Sequence, residues 1–111
     1  MKVYIVDIDG TICTLTDGDY ENAQPVQDRV DKVNALYDEG HTIILQTARG
    51  MGRTYNNAAK ASDLFYIFTH QQLTEWGVKF HSLFLGKPAA DIYVDDKGIK
   101  DEDFFTNDFR P

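Results

Sequence analysis

Short apolar runs recur along this chain, and each ends on polar residues able to do chemistry. "KVYIVDI" at 2–8, "HTIILQT" at 41–47, "HSLFLG" at 81–86 and "DIYVD" at 91–95 are rich in β-branched and aromatic residues and have strand length. Between the first two lies "PVQDRVDKVNALYDEG", where Val26, Val30, Val33 and Tyr37 recur at helical spacing, Pro25 suits the first turn and Gly40 the stop. A second helical pattern runs from about Asp63 to Trp76, with Phe65, Phe68, Leu73 and Trp76 on one face and Gly77 as terminator. Strand, helix, strand, helix, strand predicts an α/β fold with a mainly parallel central sheet and right-handed crossovers.

The linking segments are polar. Residues 12–24, "ICTLTDGDYENAQ", read as a long loop or small hairpin, "ARGMGRTYNN" as a Gly-containing loop, and "GKPAA" as a turn. The tail from Asp96 to Pro111 carries Phe104, Phe105 and Phe109, and reads as one short helix whose aromatics pin it to the core. At 111 residues the chain suits one domain, 1–111, with a flap at about 12–24 and a tail at about 97–111.

In open parallel sheets the ligand sits beyond the carboxyl ends of the strands. The first run ends at Asp7 to Thr11, the second at Thr47 to Arg49, the third just before Lys87, and the fourth at Asp95 and Asp96. One rim thus receives carboxylates, a hydroxyl, a guanidinium and an ammonium. Four carboxylates cannot crowd together ionised unless a cation compensates them. An all-oxygen set that keeps several waters suits Mg²⁺. With the metal, Lys87 and Arg49 present, such a rim can receive a dianionic phosphoryl group, and a carboxylate can attack phosphorus as a covalent nucleophile.

Charge and composition narrow the partners. The net charge is −7, from Lys+Arg 11 against Asp+Glu 18, and 14 of the acids are Asp. Binding a polynucleotide backbone needs clustered Lys and Arg, so nucleic acid is disfavoured as a partner. No run approaches the ~18 apolar residues of a membrane span. "MKVYIVDIDG" is broken by Asp7 and precedes no small-residue cleavage site, so no signal peptide is read and a cytoplasmic location is expected. Cys13 is alone, which excludes an internal disulfide and leaves it a small apolar filler. His41, His70 and His81 share no ligand spacing and read as surface or satisfied polar groups.

"DIDGT" at 7–11 after an apolar strand resembles the first motif of the haloacid dehalogenase (HAD) superfamily of phosphohydrolases. Thr47 in "TIILQT" resembles its second motif, Lys87 in "GKP" its third and "IYVDD" at 92–96 its fourth. The resemblance implies a three-layer Rossmann-like fold and a role for each residue. Asp7 would be the nucleophile that becomes an aspartyl phosphate, and Asp9 the acid that protonates the leaving oxygen and then activates water. Asp7, the Asp9 backbone carbonyl and Asp96 would bind Mg²⁺, with Asp95 bound through a water. Thr47 would hydrogen-bond phosphoryl oxygens, Lys87 would neutralise nucleophile and phosphate together, and Gly10 would permit the tight exit from the strand. Thr11 and Ala48 would line the phosphate site.

"TARGMGRTYNNAAK", "LTEWGVKFHSLFLGKP" and "DIYVDDKGI" together resemble the small capless phosphatases of capsule and other surface-polysaccharide biosynthesis. Those are themselves similar to the phosphatase domain of polynucleotide kinase-phosphatases. That likeness implies a small phosphorylated substrate such as a sugar phosphate, contacted by Arg49 and Arg53. Its rivals are a polynucleotide 3′-phosphatase and a non-catalytic binding module on the same fold. There is no room for a cap domain between Thr11 and Pro25 or between Thr47 and Asp63. Water exclusion would then fall to the flap, to the loop at 50–62 or to a neighbouring protomer, so a homo-oligomer suits the chain.

Overall fold

In the computed structural model, which describes residues 1–106, three parallel strands lie in the order β1 (Val3–Asp7), β2 (Thr42–Thr47) and β3 (Ser82–Leu85). β1 pairs with β2 from Val3 opposite Thr42 to Asp7 opposite Gln46, and β2 pairs with β3 from Ile44 opposite Ser82 to Thr47 opposite Leu85. The register brings Asp7, Thr47 and Leu85 to one end of the sheet.

Alternation then assigns the faces. Val6, Ile43, Leu45 and Leu83 point to one side and are buried. Against them pack helix α1 (Gln27–Asp38), through Val30, Val33 and Leu36, and helix α2 (Ala58–Glu75), through Leu73. Two right-handed crossovers stepping the same way across a sheet put both helices on one face. Each fully buried Val or Leu contributes about 1.5–3 kcal/mol, so this face carries most of the stabilisation. On the other side Val3 and Ile5 are each 63% exposed and Phe84 is 56% exposed. The described residues therefore build a sheet with helices on one side only.

Both helices end as the spacing predicts. His41 N–H donates to Leu36 O and Gly40 N–H to Tyr37 O, while Val78 N–H donates to Leu73 O and Gly77 N–H to Thr74 O. These are paired Schellman motifs. α2 starts about one and a half turns before its apolar periodicity does. Its first three residues, Ala58, Ala59 and Lys60, are exposed and only the small Ala61 turns inward, so the stripe is silent there, and the start is set by Asn57, whose side chain accepts from Lys60 N–H.

The fourth predicted strand does not form. Residues 91–95 are irregular, Ile92 and Val94 are 77% and 90% exposed, and the outer edge of β1 is unpaired among the described residues. β-propensity expresses packing on a pleated surface, and "IYV" here has no neighbouring strand or helix to pack against. Tyr93 instead curls back, its hydroxyl donating to the Pro88 carbonyl.

The tail does form a short helix, α3 (Asp101–Phe104). Phe104 is buried against Tyr4, Arg29 pairs with Asp101 at 2.7 Å, and Lys32 donates to the Phe104 carbonyl. Phe109 lies outside the described residues. Among those residues no helix is long and apolar enough to cross a membrane.

Candidate active site

At the carboxyl end of the sheet an open cleft of about 350 Å³ is lined by Asp7, Asp9, Thr47, Ala48, Arg49 and Lys87, with Leu15 to Gly18 and Tyr20 of the flap along one wall. Six of the predicted site residues thus share one cleft, because parallel strands deliver their carboxyl ends to one rim.

Asp7 closes β1 as a half-exposed carboxylate. Thr11 Oγ1 donates to its Oδ2 at 2.9 Å, and Lys87 Nζ stands 3.4 Å from its Oδ1. The chain can turn back toward Asp7 because Gly10 takes φ +80, a left-handed conformation open to glycine. Its missing Cβ also leaves room for the Leu15 side chain, which would stand at 3.1 Å. Lys87 is carried by the turn after β3. Its N–H donates to Thr47 O at 3.2 Å, and its ammonium lies 4.4 Å from the centre of the Tyr93 ring. Thr47 is buried, and its hydroxyl accepts from Arg49 N–H at 3.1 Å.

Arg49 does not reach into the cleft for a substrate. It is 1% exposed, the largest fully buried side chain of the fold. Its Nε donates to Asp9 Oδ2 at 2.9 Å and one terminal nitrogen to Asp9 Oδ1 at 3.0 Å, a bidentate fork. The other terminal nitrogen donates to Gln72 Oε1 at 2.7 Å and Thr69 Oγ1 at 3.3 Å on α2. The Tyr20 ring lies 4.8 Å from the guanidinium carbon. A side chain with these partners is committed, so the structure assigns Arg49 to Asp9, where the sequence suggested contact with substrate.

Arg53 also departs from expectation. It is exposed and is not part of the cleft wall. One terminal nitrogen donates to Gly18 O at 3.1 Å, and the guanidinium sits 4.8 Å from the Phe65 ring, bracing the flap from behind.

Asp95 and Asp96 are exposed and stand outside the cleft wall. Asp95 accepts from the N–H groups of Lys97 and Gly98, and these bonds hold its carboxyl below the usual carboxylate range. Among the described residues no three His, Cys, Asp or Glu side chains gather as a metal cage.

Cys13 is more than filler. It is buried and its thiol points at Asp9 Oδ1 at 3.4 Å. Burial first, and then the charge and hydrogen bond of Asp9, push the thiol up to about 12. Sequence reasoning also passed over Tyr20, Thr69 and Gln72. The last two carried a signal, as polar residues one turn apart within the inward stripe of α2, where a buried polar pair must have a partner.

No family model matches the chain, and no curated protein matches it significantly. Two solved structures are similar to it. A crystal structure of an MCSG target from Vibrio cholerae is 27% identical, superposes with a TM-score of 0.88, and shares 97% of this chain and 90% of its own. The D,D-heptose 1.7-bisphosphate phosphatase from B. bronchiseptica, complexed with magnesium and phosphate, is 20% identical, with a TM-score of 0.54 over 82% of this chain and 52% of that one. The chain therefore has an α/β, Rossmann-like fold with a parallel sheet, shared with these two structures.

Proposed function

We propose that this chain is a phosphomonoesterase that works through an aspartyl phosphate on Asp7 and acts on a small phosphorylated metabolite of the sugar-phosphate class. The observation that carries this reading is Asp7 itself. It is a half-exposed carboxylate at the floor of an open cleft, flanked by the Thr11 hydroxyl and the Lys87 ammonium, with a second carboxylate two residues on. The heptose bisphosphate phosphatase of similar fold, a protein that acts on a phosphorylated sugar, supports the substrate class.

The residues divide the reaction between them. Asp7 attacks phosphorus, and the bond from phosphorus to the leaving oxygen breaks. Protonated Asp9 gives its proton to that oxygen. Water then attacks the aspartyl phosphate, Asp9 takes the proton of the water, and inorganic phosphate leaves as Asp7 is regenerated. Lys87 balances charge on Asp7 and on the phosphoryl oxygens throughout.

The charges near the reaction support a divalent cation. In the resting site Lys87 faces Asp7, Arg49 faces Asp9 and Asp17 also lines the cleft, so before a proton reaches Asp9 the cleft offers a dianion no net positive charge. Mg²⁺ would supply the missing positive charge and polarise the phosphoryl oxygens. Asp7 and the Asp9 carbonyl would hold it, with Asp96 directly and Asp95 through a water once residues 92–96 dock beside β1. Among the described residues the "IYV" run is exposed and the outer edge of β1 is unpaired, which leaves both open to such docking.

A screen of sugar phosphates, nucleotides and 3′-phosphorylated oligonucleotides with and without Mg²⁺, ranked by kcat/KM, tests the reading. Sugar phosphates should lead, and Asp7→Asn should abolish turnover of every substrate. Turnover undiminished in Asp7→Asn would refute the mechanism, and a preference for oligonucleotides would replace the substrate class.

A further inference from the structure

The buried guanidinium of Arg49 is where the flap, helix α2 and the second carboxylate meet. A carboxylate offers about four lone-pair directions. On Asp9, Arg49 takes one on each oxygen and the Cys13 thiol takes the second on Oδ1, so Oδ2 keeps the open one. How that oxygen is aimed depends on the plane of the guanidinium. Asp9 cannot set the plane alone, because the pair could rotate together about the Asp9 side-chain bonds.

Gln72 sets it. Its Oε1 accepts from Arg49 at 2.7 Å on the edge opposite Asp9, and its Nε2 donates to the main-chain carbonyl of Tyr20 at 2.8 Å. Tyr20 completes the circuit. Its ring packs on Arg49 and edge-on against Phe65 at 5.0 Å, and its hydroxyl accepts from Gly50 N–H at 3.0 Å. A buried amide with both ends occupied has one orientation, so it transmits position. We propose that Gln72 is a positioning residue that aims Asp9 for proton transfer through Arg49, and that through Tyr20 it makes the seating of the flap and the aim of Asp9 a single condition. The role of Asp9 is taken from the phosphatase reading, whereas the seating of Arg49 stands on geometry alone.

Two substrates separate aiming from mere support of the fold. An alkyl leaving group, as in a sugar phosphate, needs a proton on departure, while p-nitrophenolate does not. Gln72→Leu removes both amide bonds and should lower the single-turnover rate of aspartyl phosphate formation, the step in which the leaving groups differ, by on the order of 10²-fold with the sugar phosphate and by less than about threefold with p-nitrophenyl phosphate. Gln72→Glu keeps an acceptor for Arg49 but gives up the donor to the Tyr20 carbonyl, and should recover part of the sugar-phosphate loss. Equal losses on the two substrates, a change confined to KM, or no rescue by Glu would overturn the proposal. Should Gln72→Leu fail to fold, Gln72→Met and Gln72→Glu carry the same comparison.

An arm independent of turnover reads Arg49 directly. The Nε–H of Arg49 should exchange slowly with solvent in the unaltered protein by NMR and at least tenfold faster in Gln72→Leu. Unchanged exchange would overturn the positioning claim. Absence of any phosphatase activity in the unaltered protein would instead strike the functional reading and, with it, the proton-transfer half of the proposal.

Discussion

Replacing Arg49 by Met tests whether the buried pair organises this fold as well as the site. Met fills a similar volume and removes the fork to Asp9 together with the bonds to Gln72 and Thr69. Removing one partner of a buried ion pair costs about 3–5 kcal/mol. The Asp9 side chain is 18% exposed and can recover solvent from the cleft, which argues for the low end of that range. Leaving Gln72 Oε1 without its donor adds about 1 kcal/mol, for a total near 4 kcal/mol. With a urea slope of about 2 kcal/mol per molar, the denaturation midpoint should fall by about 2 M. A double-mutant cycle sharpens the assay. Adding Asp9→Asn to Arg49→Met should cost at least about 1.5 kcal/mol less than the two single changes summed, because the stranded charge is gone. A midpoint shift under about 0.5 M, or simple additivity, would show that the pair is neither buried nor coupled as the structure has it.

Other perturbations read other parts of the fold. Cys13, raised from 9.0 to about 12 by burial and by Asp9, stays neutral in the folded protein where the unfolded chain ionises. Stability should therefore fall as pH rises through that window, by up to about 1.4 kcal/mol per unit, and Cys13→Ala should flatten the fall in urea midpoints measured at about pH 8 and pH 10.5. Gly50 takes φ +79, and an added Cβ would stand 2.7 Å from the Phe65 ring. Gly50→Ala should cost about 2–3 kcal/mol and lower the melting midpoint by about 10 °C. Asp101 is held below the usual carboxylate range chiefly by its hydrogen bond from Arg29. The stability it contributes is present above that range and lost as pH falls through its lowered value, and Asp101→Asn should cost about 0.5–1 kcal/mol with faster amide exchange at Phe104.

What the sequence made legible follows from the range of the forces involved. Strands β1, β2 and β3 and helix α1 could be read because local periodicity and local caps determine them, and parallel pairing then places Asp7, Thr47 and Lys87 on one rim with no further information. The start of α2 was hidden because the one residue its first turn buries, Ala61, is too small to mark a stripe. The fate of "IYV" at 92–94 was hidden for a different reason. Whether such a run becomes a strand depends on an edge far away in the chain, and propensity does not encode the docking.

Arg49 shows the boundary most clearly. Its place on the rim could be read from "TAR" after an apolar run, but the direction of its side chain could not. That direction is decided by a competition between an anion in the cleft and three protein acceptors, of which two lie 20 and 23 residues later on α2. Taking a guanidinium out of water is costly unless its donors are met, and here Asp9, Thr69 and Gln72 meet four of about five. An incoming phosphate would have to break a bidentate carboxylate fork to gain one of its own, with little net profit. Each carboxylate of the "DID" pair is thereby given its own cation, Lys87 for Asp7 and Arg49 for Asp9. The two cations differ in exposure, and the difference separates the tasks. In the proposed reaction the ammonium, on a flexible stem at the cleft, would shift between Asp7 and a phosphoryl group, while the guanidinium, walled in by α2 and Tyr20, would hold its carboxylate still.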